Sequence, residues 1–153
     1  MAHLTGTAAV NFSESEIAAL HNYIETGGVL FVEACGGSSA FSDSTERELA
    51  PKLFPDTPLQ AISSDHPVLK GTYIGMQDIT TPHLRSATAQ KIGPGQRLKF
   101  LTHGKGILIF SPLDISSALV NVQSPGVTGY ESLYAEDLTK NIVLWAAARG
   151  KTE

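Results

Sequence analysis

The only cysteine of the chain ends an apolar run, Val29-Leu30-Phe31-Val32-Glu33-Ala34-Cys35, and two glycines follow it at once. A thiol on a sharp turn between a strand and a helix is the arrangement of a cysteine nucleophile. The amino end of the following helix lowers the thiol pKa, and the Gly36 N–H would stabilise an oxyanion. The same residues also read as the plain end of a buried strand. A thiolate needs a base held in place by a third group. The candidate base is His66, in Asp65-His66-Pro67, with the neighbouring carboxylate to orient it; otherwise His66 simply caps that turn. Glu33 lies in phase with Phe31 and Cys35, because alternate side chains of a strand share a face. A carboxylate there is costly unless paired or wet. It either serves a ligand, shares a proton with the Cys35 sulfur, or caps the N–H groups of a neighbouring loop.

The other histidines point to less. His103 falls in a hairpin turn, His21 lies off the apolar stripe of a helix, and His3 and His83 have no informative spacing. No two histidines have the i, i+4 spacing of a helical metal site, so neither a metal nor a cofactor is expected. There is no G-x-x-x-x-G-K-[ST] phosphate loop, and Ser38 and Ser39 do not complete G-x-S-x-G.

Composition narrows the class. The 153 residues are 42% hydrophobic and 17% charged, with net charge −4, an ordinary globular balance. No basic footprint marks a nucleic-acid binder. One cysteine excludes an intramolecular disulfide. No apolar run approaches the roughly 20 residues of a membrane helix, so no membrane insertion is expected. No basic start followed by an apolar core marks a signal peptide, and the compartment is left open. Met1 to Gly6 already reads as the tail of a strand, so residues 1–153 are expected to form one α/β domain cut from a longer protein.

These residues must be held by the elements around them. Ser13 and Glu16 have capping-box spacing, with Phe12 and Ile17 as a hydrophobic staple. Ile17, Leu20 and Ile24 then form one helical stripe, stopped by Gly27-Gly28. Val29 to Ala34 is apolar on both faces, as in a strand covered on both sides. Asp43 to Glu46 starts a second helix, with Leu49 and Leu53, that Pro51 kinks or ends. Pro58 to Ile62, Thr72 to Ile74 and Ala87 to Ile92 read as strands. Arg97 to Thr102 and Gly106 to Ser111 form an antiparallel hairpin about His103-Gly104-Lys105. A loop from Leu113 to Gly129, long enough for a lid, precedes a helix marked by Leu133, Leu138, Ile142 and Trp145. The order implies a three-layer α/β/α sandwich on a mostly parallel sheet, with a C-terminal hairpin and helix. In such a sheet ligands bind beyond the carboxyl ends of the strands. Those ends are Thr5-Gly6, Glu33 to Gly37, and Ser111 to Asp114.

The stretch "LTGTAAVNFSESEIAALHNYIETGGVLFVEACGGSSAF", followed in order by "FPDTPL", "DHPV", "ILIFSPLD" and "KNIVLWA", resembles a bacterial family of unknown function, domain-of-unknown-function family 4159. The resemblance implies a class I glutamine-amidotransferase-like (flavodoxin-like) fold and no particular reaction. A histidine frequent in that family near "TG" is missing here, where Thr7-Ala8 stands. In amidotransferases a "GICLG"-like elbow holds the nucleophile, and Cys35 falls at its place, although Glu33 stands where a small residue is usual. The base comes from an "FHPE"-like segment, matched here by Phe110-Ser111-Pro112-Leu113-Asp114, or directly follows the cysteine. Those positions are Ser111 and Gly36, so amidotransferase chemistry is not expected.

Three functions fit this reading. The first is a non-catalytic domain binding a small molecule, an anion or a protein through Thr5, Gly6, Gly36, Gly37, Ser111 and Asp114. The second is a cysteine-dependent hydrolase or amidase using Cys35, Glu33 and His66. The third is an assembly module docking the domains of a larger parent protein.

Overall fold

A computed structural model describes residues 1–122 and 124–149. The first strand, β1 (Ala2–Gly6), leads to helix α1 (Glu14–Glu25). The capping box forms as its spacing predicts. Ser13 Oγ accepts from the Glu16 N–H at 3.4 Å, and the Glu16 carboxylate accepts from the Ser13 N–H at 2.8 Å. Ile17 and Leu20 are partly buried and Ile24 wholly so. Then come β2 (Val29–Ala34), a 3-10 turn over Cys35–Gly37 and α2 (Ser39–Ser44).

At Pro51 the helix changes pitch rather than ending. A wide π turn over Thr45–Leu49 runs directly into α3 (Ala50–Leu53), with Pro51 in its first turn. Proline has no N–H for the carbonyl four residues back, and its ring crowds that carbonyl, so the preceding turn widens.

The remaining elements are β3 (Gln60–Ala61), α4 (Pro67–Lys70), α5 (Ser86–Ile92), β4 (Lys99–His103), β5 (Gly106–Ser111), α6 (Ser116–Leu119) and α7 (Ser132–Arg149). Three strands read from the sequence are corrected. Residues 87–92 lie in helix α5, because Ala, Gln and Lys are good helix formers and six residues are too few to separate the two periods. Residues 72–74 form a bend. The strand expected over 58–62 shrinks to Gln60–Ala61, since Pro58 cannot donate to a ladder.

The five strands stand in the order β1-β2-β5-β4-β3. The sheet is mixed and not mostly parallel: β1–β2 and β2–β5 pair in parallel, while β5–β4 and β4–β3 are antiparallel. The cause is the hairpin. His103 pairs with Gly106 across the two residues Gly104-Lys105, and so short a link joins only antiparallel neighbours.

Two hydrophobic clusters flank the central strands. Val29, Phe31, Ile107 and Ile109 belong to one, with Val68 and Leu69 of α4, Ala118 of α6 and Leu138, Ile142 and Trp145 of α7. Leu30, Val32, Leu108 and Phe110 belong to the other, with Ile24 of α1, Phe41 of α2 and Leu53 of α3. This division explains why β2 and β5 are buried at every position. Of the residues that mark α7 in the sequence, Leu138, Ile142 and Trp145 are buried while Leu133 is 77% exposed, and Tyr134 beside it faces inward. Asn141 locks α7 to the segment before it. Its amide donates to the carbonyls of Val68 (2.7 Å) and Gln77 (2.8 Å) and accepts from the Gln77 N–H (3.0 Å). Among the described residues no helix is long and apolar enough to cross a membrane.

Candidate functional site

The parallel strands β1, β2 and β5 are neighbours, so their carboxyl ends lie side by side. Thr5 stands opposite Glu33 and Gly6 opposite Ala34, while Glu33 stands opposite Ser111. Thr5, Gly6, Glu33, Cys35, Gly36, Gly37, Ser111 and Asp114 therefore share one edge. His66 is elsewhere. It caps α4, accepting the Val68 N–H at 3.2 Å through Nδ1, and its ring packs on Phe100 and Trp145. Burial foremost, then the charge of Arg149, lowers its pKa, which keeps the ring in the neutral form that the cap requires.

The glycines after Cys35 have a geometric reason. Gly36 and Gly37 both take left-handed backbone, with φ of 67° and 69°, where a side chain is strained. This doubled turn aims the Gly36 N–H at Asp114, whose Oδ1 accepts it at 2.7 Å. The Gly36 carbonyl accepts from the Thr128 N–H at 3.1 Å, and the Thr128 carbonyl from the Asp114 N–H at 3.0 Å. The end of β2, the end of β5 and the far end of the 113–129 loop are thus bonded to one another. A loop held in this way at both ends is part of the edge and not a free lid. The N–H that would serve an oxyanion already has an acceptor.

Glu33 is wholly buried. Its Oε1 accepts the N–H groups of Ile115 and Ser116, each at 2.7 Å, and its Oε2 accepts the Ser116 hydroxyl at 2.7 Å. His3 Nε2 lies 3.1 Å from the same Oε2, its ring stacked on Phe31. The carboxylate thus satisfies the free N–H groups that open α6, where negative charge is favoured. Ser111 is also committed: its hydroxyl donates to the Leu113 carbonyl at 2.7 Å.

Cys35 is half-buried. Desolvation first, then the negative charges of Asp114 and Glu33, raise its pKa above the ordinary 9.0, opposed by a hydrogen bond with the Thr5 side chain. The surroundings favour the thiol and not the thiolate. Because the folded-state pKa is raised, the associated stability is present below the unfolded value and is lost as pH rises towards the folded one. Asp114 contributes charge without which the thiol would ionise sooner. In Asp114→Asn, the amide oxygen keeps the bond from Gly36, and the pH inflection of Cys35 alkylation is expected to fall. An inflection unmoved or raised would contradict this origin of the shift.

One atom at the edge is left over. Asp114 Oδ1 takes both the Gly36 N–H and the Ser117 hydroxyl (2.9 Å), whereas Oδ2 is buried without a hydrogen-bond partner among the described residues. Buried carboxylate oxygens are normally satisfied, and this one is an acceptor with spare capacity. A side chain at Gly36 would meet no heavy atom within 4 Å, so there is open space at the turn.

His3, Ser116, Ser117 and Thr128 were not anticipated from the sequence. For Ser116 and Ser117 a signal existed, since Asp-Ile-Ser-Ser after a strand is a turn-and-cap composition. His3 and Thr128 are joined to the edge only through tertiary pairing. The likeness to known proteins agrees with the ordering of motifs. The model of a domain of unknown function (DUF4159) matches residues 1–147. No curated protein matches the chain.

Proposed function

We propose that this chain, which belongs to the DUF4159 family, is a non-catalytic binding domain built on a three-layer, glutamine-amidotransferase-like scaffold. Its ligand site is the rim formed by Cys35, Gly36, Gly37 and Asp114. The observation that carries this reading is the Asp114 carboxylate. One oxygen holds the Gly36 N–H that catalysis would need, and the other is a buried acceptor without a partner among the described residues. With Glu33 and Asp114 both raising the Cys35 pKa, the local field disfavours an anion. The fitting ligand is a small molecule presenting N–H or O–H donors, an amine, amide or hydroxyl, to Asp114 Oδ2, and because Asp114 is wholly buried the turn at Gly36 must shift to admit it.

Two arms test the proposal. Incubation with an activated ester at neutral pH, followed by mass spectrometry, should give no acyl adduct on Cys35. An adduct lost in Cys35→Ala would return the hydrolase reading. Thermal-shift screening of small amines and amides should give stabilising compounds whose effect is lost in Asp114→Ala. Stabilisation only by anions, or hits indifferent to Asp114→Ala, would overturn the ligand class. A silent thiol and an empty screen together would leave the assembly role. Exposed Leu119, Val120, Val122 and Leu133 lie near one another for such a role, with Ser132 and Asn121 in contact between them at 3.2 Å.

A further inference from the structure

At the opposite end of the sheet, α1 finishes against the β4–β5 turn. There His21, Glu25 and His103 bring one ligand atom each within 4.8 Å of one another. We infer that these three side chains form a binding site for a Zn2+-like divalent cation, with water in the remaining position. This inference is independent of the strand-end site.

Two imidazoles and a carboxylate are a donor set for zinc, at metal–ligand distances of about 2.0–2.2 Å. A tetrahedral ion of that size places its ligands roughly 3.3 Å apart. His21 Nε2 and Glu25 Oε2 already stand 3.4 Å apart. The remaining separations close by small rotations of Glu25, which is exposed, and His103, which is half-buried.

The orientation of His21 is the second observation. Its Nδ1 lies 2.8 Å from the Leu53 carbonyl. A carbonyl only accepts, so Nδ1 carries the proton, and in the neutral ring Nε2 presents a lone pair. Nε2 is thus the ring nitrogen left to face a ligand, and it stands beside the Glu25 carboxylate. A carbonyl on the far nitrogen is also the usual way a zinc-bound imidazole is held.

The rest of the surroundings fix the geometry. His103 stacks on Phe54 at 4.2 Å, and His21 packs against the same ring at 4.9 Å. The turn that carries His103 is pinned to α1, since the Lys105 N–H donates to the Glu25 carbonyl at 3.2 Å. A Cβ at Gly104 would stand only 2.7 Å from that carbonyl oxygen, so glycine permits the approach. The carboxyl end of a helix favours positive charge, and the last turn of α1 has no basic residue. A groove of about 590 Å³, lined by Phe12, Ile17 and Lys52, reaches His21, while Glu25 is itself exposed to solvent. In it Lys52 is engaged by Glu48 at 3.8 Å.

Calorimetric titration of the whole chain with Zn2+ in a non-coordinating buffer tests the inference. One ion per chain should bind at roughly micromolar affinity and raise the thermal midpoint. His103→Gln and Glu25→Gln should each weaken binding about tenfold or more, while His66→Gln and Cys35→Ser should leave it unchanged. Should His103→Gln fold poorly, Glu25→Gln, at an exposed position, decides alone. The inference is overturned by any of three results: no saturable binding, one ion per two chains, or affinity unmoved by Glu25→Gln. The first would make the cluster an ordinary histidine–glutamate ion pair.

Discussion

Replacing Glu33 by alanine is expected to lower the unfolding midpoint by roughly 10 °C. Three donors lose their acceptor at once: the Ile115 and Ser116 N–H groups and the Ser116 hydroxyl. Each donor left unsatisfied in a buried setting costs on the order of 1–3 kcal/mol. Because Ser116 is only partly buried and α6 can relax, the total is nearer about 3–4 kcal/mol than the full sum. At about 2–4 °C per kcal/mol for a chain of this size, that gives the midpoint shift. Glu33→Gln separates shape from charge. Its amide oxygen still accepts from both N–H groups, and Ser116 Oγ can accept from the new amide, so a loss of roughly 1 kcal/mol is expected. Were Glu33 instead a ligand-binding group with little structural duty, Glu33→Ala would change stability by less than about 1 kcal/mol. Thermal melts of the two variants decide between these roles.

The paired glycines give the second large effect. Gly36→Ala and Gly37→Ala impose the same left-handed strain, about 1–2 kcal/mol, because their φ angles are nearly equal. Only at Gly37 does an added Cβ collide, meeting the carbonyl oxygen of Thr128 and, at 2.7 Å, its Cβ. Thr128 cannot withdraw without breaking its bonds to Gly36 and Asp114. Gly37→Ala should therefore cost roughly 3–4 kcal/mol, strain plus overpacking, against roughly 1–2 for Gly36→Ala. Urea titration of both variants measures the difference directly. Equal losses would mean that Thr128 does not press on the turn as described.

These two sites also show what was legible beforehand. The α1 cap and the 104–105 hairpin turn rest on contacts within a few residues, and pattern alone locates them. The strand ends at Gly6, Glu33 and Ser111 were legible because an apolar run stops abruptly at each. What the pattern lacked was the partner of each polar group. Glu33 and the N–H donors it accepts from are separated by 82 and 83 positions, and Gly36 and Asp114 by 78. Only the parallel pairing of β2 with β5 brings them together. The same limit hid the meeting of His21, Glu25 and His103. His21 and Glu25 have helical i, i+4 spacing, visible in the sequence, but a histidine–carboxylate pair is as ordinary an ion pair on a helix as it is a ligand pair. His103 joins them through the fold alone. Helix α5 was missed for a different reason: a window of six residues mixing alanine with polar residues satisfies either period.

The turn after β2 is committed to structure, and its surroundings hold Cys35 as a thiol. The pH dependence of Cys35 alkylation by iodoacetamide tests it most directly. Slow alkylation is expected, with an inflection above the ordinary thiol value of 9.0, from which Cys35 is shifted upwards. An inflection well below that value would reveal a stabilised thiolate, and would contradict both the assigned roles of Asp114 and Glu33 and the non-catalytic reading built on them.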